Sequence, residues 1–178
     1  MMMKILSFCF LVAVLAFGPR GLSAEDHKSH EQTVFNAQDL RVERPVDIPQ
    51  PILSVLANDE YVSSMKEDAP GNASFPPRDW FAASLLVTRK SGSRLYLILG
   101  KGPLVGAHVT TFWLVEFGVD AKPPTVLLRV AADQLIVGKH DASSYPKVTA
   151  VVVTQQAVTD TTYRFSSGKY LSVRPTNR

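Results

Sequence analysis

The chain has a single cysteine, Cys9, among its 178 residues. One cysteine cannot form an intrachain disulfide, and it excludes the paired-cysteine motifs of zinc sites and thiol redox enzymes. A folded domain must therefore be stabilised by a hydrophobic core alone. The 154 residues that follow Ala24 are sufficient, because a chain of that length buries about 68–70% of its unfolded surface.

Long hydrophobic runs are also absent. The longest, Ile5–Phe17, has thirteen residues, and as a helix it would extend only about 20 Å, against a hydrocarbon core of about 30 Å. Lys4 precedes this run and the segment Gly21–Ala24 follows it, which is the pattern of a secretory signal peptide. We predict that residues 1–24 are a signal peptide and that the mature protein is secreted or periplasmic, with no stable membrane span.

Neither sign of charge is in large excess. Residues 25–178 carry 17 basic and 16 acidic side chains, a net charge of +1. The distribution is uneven, because residues 25–70 have a net charge of −6 and residues 71–178 have +7. We expect the acidic part to pack on the basic part, and the alternative is a basic surface for an acidic partner such as an anionic glycan. The sequence contains no cluster of basic residues interleaved with aromatic residues, so it does not indicate nucleic-acid binding.

The beginning of the mature chain differs in composition from the rest. Residues 25–50 contain Pro45 and Pro49, are polar and show little apolar periodicity. This composition is typical of a flexible tail or linker. Residues 51–178 are predicted to form a single globular domain.

The pattern within the domain changes from helical to alternating. Residues 51–68 are predicted to be helical, since Pro51 suits a first helical turn and Asn58 or Asp59 suits the N-cap of a second helix. Residues 79–174 show alternating hydrophobicity interrupted by turns, which predicts about eight antiparallel strands. The fold class is therefore α+β, mostly β, with short helices packed on a sheet, meander or sandwich. The predicted strands after the first hairpin are Thr110–Phe117, Thr125–Val130, Gln134–Val137, Val148–Thr154, Asp160–Phe165 and Lys169–Val173.

Sequence motifs for catalysis are missing. There is no nucleophile elbow and no zinc-spaced histidine pair. The glycine-containing loop Gly100–Gly106 precedes a predicted strand, whereas a phosphate cradle opens onto a helix. An enzyme is still an alternative: a hydrolase or ligand-processing site at the Gly100–His108 loop would pair His108 with a carboxylate such as Glu116 or Asp133.

Aromatic residues provide the main binding hypothesis. On the strand Thr110–Phe117, Trp113, Val115 and Phe117 share one face, which we expect to be the core side. Phe112 would then be exposed. The alternative is that these aromatic residues pack in the core or at a sheet edge, which is their commoner location. The candidate binding residues are Arg94, Tyr96 and Phe112, which we call the aromatic-basic patch, together with Lys101 and His108 of the neighbouring loop.

The C-terminal part resembles a known group of proteins. Tyr145–Val148, then Thr161–Phe165 and Lys169-Tyr170, are similar to the pattern YPDI followed by TTYRFDGKKY in small, uncharacterised, secreted bacterial proteins. The resemblance implies a bacterial, exported protein and no particular activity. Some members carry an acidic calcium-binding loop, but the matching turn here, Thr88–Arg94, has no carboxylate. We predict no calcium at this turn and no cofactor.

The N-terminal tail offers one metal hypothesis. If cleavage follows Ala24, His27 becomes the third residue, where an amine, two amides and the imidazole can bind Cu(II) or Ni(II) in square-planar geometry. The alternative is a solvated tail without metal.

Taken together, these observations predict an exported, non-enzymatic binding protein that uses its basic and aromatic sheet surface. The expected partner is an envelope or extracellular protein, or an anionic glycan.

Overall fold

The computed structural model describes residues 33–71, 74–118, 122–140 and 144–177, which belong to one compact unit. Within these ranges the chain forms two short α-helices and nine strands, arranged as one five-stranded and one four-stranded antiparallel sheet. The fold is α+β and mostly β, as predicted. The elements in chain order are β1 Val34–Asn36, α1 Gln50–Leu56, α2 Glu60–Ser64, β2 Phe81–Thr88, β3 Arg94–Gly100, β4 Thr110–Phe117, β5 Thr125–Ala132, β6 Gln134–Val137, β7 Val148–Val153, β8 Val158–Ser166 and β9 Lys169–Asn177.

The two helices begin close to the predicted positions. Pro51 lies in the first turn of α1, where its missing N–H removes no helical hydrogen bond. Asp59 is the N-cap of α2, and its side chain accepts hydrogen bonds from the backbone N–H groups of Tyr61 and Val62. Helices this short are unstable alone, so burial of apolar side chains against the sheet must stabilise them. No helix in the described ranges is long and apolar enough to cross a membrane.

In the four-stranded sheet, which has the order β2-β3-β4-β5, the two central strands β3 and β4 are buried on both faces. On β3, Leu97 and Leu99 pack against the five-stranded sheet, in what we call the inter-sheet core. Tyr96 and Ile98 point to the opposite side and pack with α1 and α2 in the helix-side core. The continuous apolar sequence of β3 reflects this burial on both faces.

The five-stranded sheet has the order β1-β6-β7-β8-β9. Asp133 alone separates β5 from β6, so the chain passes from one sheet to the other at this residue. Only one face of the five-stranded sheet contributes to the inter-sheet core, through residues such as Leu135 and Ala150. We call its opposite side the outer face.

The structure corrects the prediction of a tail over residues 25–50 for the part that it describes. Val34–Asn36 forms β1 and pairs antiparallel with β6. Phe35 is fully buried in the inter-sheet core, and Val42 is also buried there. A strand of three residues has no recognisable alternation of its own, and its partner β6 lies about a hundred residues further along the chain.

Candidate functional site

The aromatic-basic patch does not form an exposed surface. Tyr96 is 4% exposed and lies in the helix-side core, whereas Phe112 is 1% exposed and lies in the inter-sheet core. Of the three patch residues only Arg94 is exposed. The prediction was wrong because it assumed one buried face, while the four-stranded sheet packs against the helices on one side and against the second sheet on the other.

The loop between β3 and β4 is shaped by close packing. A Cβ atom at Gly100 would lie 2.8 Å from the Cβ of Leu104, so no side chain fits there without displacement. The Thr110 hydroxyl donates a hydrogen bond to the Gly100 carbonyl at 2.7 Å, and the Lys101 N–H donates to the Trp80 carbonyl at 2.7 Å. The loop is thus a packed connection between two strands, as its sequence predicted.

His108, at the end of this loop, contacts the carboxylate of Asp133, the residue that connects β5 to β6. Its Nδ1 atom lies 2.9 Å from Oδ1 of Asp133. The imidazole side chain is 48% exposed and the aspartate side chain 12%. Among the described residues, no other hydrogen bond of the His108 ring is present. Asp133 is one of the two carboxylates that the enzyme hypothesis proposed as partners of His108.

Asp133 also has a structural role. Its Oδ2 accepts a hydrogen bond from the Val153 N–H at 2.8 Å. Its backbone N–H donates to the Val151 carbonyl at 2.9 Å, and its carbonyl accepts from the Ala37 N–H at 2.7 Å. Asp133 therefore connects the β5–β6 junction by hydrogen bonds to β7 and to the segment that follows β1.

Asp133→Ala is expected to lower the free energy of unfolding by about 2 kcal/mol, because a hydrogen bond from a backbone N–H to a charged acceptor is lost. Urea denaturation followed by circular dichroism measures this change. His108→Ala is the matched control, and it should cost less than about 1 kcal/mol since the His108 side chain is half-exposed and such a contact contributes little. Equal losses in the two variants would mean that the contact between His108 and Asp133, not the hydrogen bond to the Val153 N–H, stabilises the connection between β5 and β6.

A polar cluster that the sequence did not reveal surrounds Glu116. The carboxylate accepts hydrogen bonds from the Ser93 hydroxyl and the Tyr145 hydroxyl, each at 2.9 Å. The Tyr145 ring stacks on Phe165 with centroids 3.6 Å apart, and the guanidinium carbon of Arg89 lies 4.2 Å from the ring centre. These contacts cover both faces of the ring, so Tyr145 offers no aromatic platform for a sugar. Glu116 is engaged here rather than with His108.

Three tyrosines of this part of the fold have raised pKa values. Burial, the hydrogen bond to Glu116 and its negative charge raise the pKa of Tyr145, and Arg89 opposes them. Burial raises the pKa of Tyr163, and burial together with Tyr145 raises the pKa of Tyr170. These hydroxyls therefore stay protonated at neutral pH and are unsuited to serve as bases. Those of Tyr145 and Tyr170 donate hydrogen bonds, to Glu116 and to the Pro146 carbonyl.

The outer face of the five-stranded sheet carries the exposed apolar side chains. Within the described ranges, the large hydrophobic residues classed as exposed are Val34, Ile136, Val153, Leu171 and Val173, and every one of them lies on this face. Their exposed fractions run from 37% to 45%. The sheet therefore carries apolar side chains on both of its sides, although only one side packs against the rest of the fold.

Five of the outer-face residues form a continuous row across all five strands. Val34 pairs with Ile136, Ile136 with Thr149, Thr149 with Thr162, and Thr162 with Val173. We call these five residues the central row, and all of them are β-branched. The hydroxyl oxygens of Thr149 and Thr162 lie 3.2 Å apart, within hydrogen-bond distance. Because these partners are non-local, the row could not be recognised from local sequence.

Two of the predictions concern residues outside the described ranges. The signal peptide at residues 1–24 and the Cu(II) or Ni(II) site at His27 both lie there, and both stay predictions. Within the described ranges, no group of three or more histidine, cysteine or acidic side chains is placed to hold a metal ion.

No protein-family model, curated protein or solved structure matches this chain. Function must therefore be inferred from the geometry of these surfaces.

Proposed function

We propose that this chain is an exported, non-enzymatic binding protein whose contact surface is the outer face of the five-stranded sheet. The supporting observation is that the exposed large hydrophobic residues of the described chain all lie on this one face. Isolated apolar residues are normal on any surface, whereas their grouping on one face is typical of an interaction site. Here Val34 and Ile136 lie at one edge of the face and Val173 lies at the other, and Thr149 and Thr162 connect them. The outer face takes the place of the aromatic-basic patch, whose aromatic members are buried.

The chemistry of the outer face favours a protein as the partner. The central row presents methyl groups and two hydroxyls. Charges of both signs lie beside it: Asp160 and Arg164 on β8. Asp39, Arg41 and Glu43 line a pocket together with Val34 at the end of the row. The centres of protein interfaces are similarly depleted of charge. An anionic glycan would instead need several basic groups that converge, so we propose an envelope or extracellular protein.

Export is the second element of the proposal. Its support is the N-terminal sequence, in which Lys4 precedes the apolar run Ile5–Phe17 and small residues follow before Glu25. A domain that lacks cysteine after residue 24 needs no oxidative folding after export. Detection of a mature chain beginning near Glu25 in the exported fraction would test this element by N-terminal sequencing.

Ile136→Lys is expected to reduce capture of the partner at least tenfold, because a lysine at the central row places an ammonium group in an apolar contact. The experiment is affinity capture with crosslinking from the exported fraction, with the purified chain as bait. Thr125→Lys is the matched control, since it introduces the same charge at an exposed residue of a strand in the other sheet. Equal capture by both variants would contradict the proposed surface.

The contact between His108 and Asp133 supports a second candidate function, that of a hydrolase acting at the β3–β4 loop. A carboxylate can orient an imidazole that activates water as a general base. The test is hydrolysis of simple ester and glycoside substrates by the wild-type chain and by His108→Gln. Turnover that this variant abolishes, without loss of folding, would favour the enzyme over the binding protein.

A further inference from the structure

We propose that the outer face of the five-stranded sheet binds a second copy of the same chain. The two sheets would pack face to face, related by a two-fold axis that runs across the strands along the central row. This inference rests on the proposed function, because it uses the same surface and names its occupant. Three features of the described residues support it: the composition of the row, the placement of charges beside it, and the size of the face.

The central row is suited to contact with itself. A two-fold axis along the row places each of its residues opposite the same residue of the other copy. The apolar positions Val34, Ile136 and Val173 would then meet apolar partners, and the hydroxyls of Thr149 and Thr162 would meet hydroxyls. β-branched side chains are suited to such packing because they are stiff and lose little rotamer freedom. Symmetric interfaces of this kind are the commonest in homodimers.

Two of the charges beside the row, Asp160 and Arg164, are self-complementary about the same axis. Asp160 and Arg164 lie on β8, two residues before and two residues after Thr162, and they share its outer face. The axis reverses the strand direction, so Asp160 of each copy would face Arg164 of the other. An axis along β8 would instead bring Asp160 against Asp160. This pair of charges therefore favours the axis along the central row.

The size of the face is sufficient for a weak, transient dimer. Five strands spaced about 4.8 Å apart make a face roughly 24 Å wide, and six residues of strand extend it about 20 Å. Two such faces would bury on the order of 1,000 Å² in total, which is near the lower limit for a specific interface. We therefore expect a weak dimer that dissociates on dilution.

The experiment is sedimentation of the purified chain over a range of concentrations at low salt. The wild-type chain should show a monomer–dimer equilibrium. Ile136→Lys should raise the dissociation constant at least tenfold, and Thr125→Lys, the control of equal charge, should leave it unchanged. Circular dichroism of each variant verifies that the fold is retained.

A charge exchange provides the more specific test. Asp160→Arg alone would set arginine against arginine, and Arg164→Asp alone would set aspartate against aspartate, so each should weaken the dimer about tenfold or more. The double variant restores opposite charges across the axis and should recover most of the wild-type affinity. A double variant no tighter than either single one would overturn the proposed axis.

The remaining outcomes separate this inference from the proposed function. A chain that stays monomeric at all concentrations, but captures a different protein through Ile136, would overturn the dimer and leave the binding function intact. A dimer that Ile136→Lys does not affect would place the contact on another surface and overturn the inference. A monomer without any captured partner would overturn both.

Discussion

Phe112→Ala is expected to lower the free energy of unfolding by about 3–5 kcal/mol, a large part of the stability of a domain of this size. The ring is 1% exposed and lies in the inter-sheet core. Its neighbours on the adjacent strands are Leu99 of β3 and Val130 of β5. Truncation removes apolar contact and leaves a cavity between two sheets that cannot close over it. Chemical denaturation measures the loss. The dependence of the unfolding free energy on denaturant concentration should equal that of the wild type.

Arg94→Ala is the matched control for Phe112→Ala, because both residues were assigned to the aromatic-basic patch. Arg94 is exposed at the first position of β3, and its truncation should change the free energy of unfolding by less than about 0.5 kcal/mol. If Phe112→Ala were as mild as this control, Phe112 would not be a core residue, and its assignment to an exposed binding patch would regain support.

Asp59→Ala is expected to lower the free energy of unfolding by about 3 kcal/mol, because one carboxylate stabilises three parts of the fold. Its Oδ1 caps α2 through two backbone N–H groups, and such a cap contributes about 1 kcal/mol. Its Oδ2 accepts the indole N–H of Trp113 at 3.0 Å and lies 3.1 Å from Nε of Arg129. Trp113 is fully buried, so loss of the acceptor leaves an unsatisfied donor that costs about 1–3 kcal/mol.

Two further variants separate the contributions of Asp59. Asp59→Asn keeps an oxygen for the cap but removes the charge and one acceptor, so it should be intermediate. Arg129→Ala removes a partner that is 44% exposed and should cost less than about 1 kcal/mol. Thermal and urea unfolding of the three variants give the ranking. A loss for Asp59→Ala no greater than for Arg129→Ala would contradict the role of the buried indole.

Much of the local structure could be predicted because it depends on near neighbours. The predicted strands Thr110–Phe117 and Gln134–Val137 coincide with β4 and β6. Asp59 was expected as a helix N-cap because its short side chain can bond to the next turn without help from the rest of the fold. Turn residues such as Gly92 and Gly168, both with positive φ, mark hairpins for the same local reason.

The prediction of which strand faces are buried was wrong in the four-stranded sheet, because this sheet packs against the helices on one side and against the five-stranded sheet on the other. Alternation along β4 indicated that Trp113 and Val115 face a core, which is correct. It did not show that Phe112 and Leu114 face a second core, because alternation describes the two sides of a strand and not what covers them. The uninterrupted apolar run Leu95–Leu99 was the available sign of a strand buried on both faces.

By itself, the sequence determined the fold class, most strand and helix positions and the absence of a disulfide framework, since these follow from composition and from contacts a few residues apart. The tertiary structure alone decided which apolar side chains are covered. It brought Asp59 to Trp113, His108 to Asp133, and five β-branched residues from five strands into one exposed row. Such contacts join distant residues through the pairing order of the sheets, and no local pattern specifies that order.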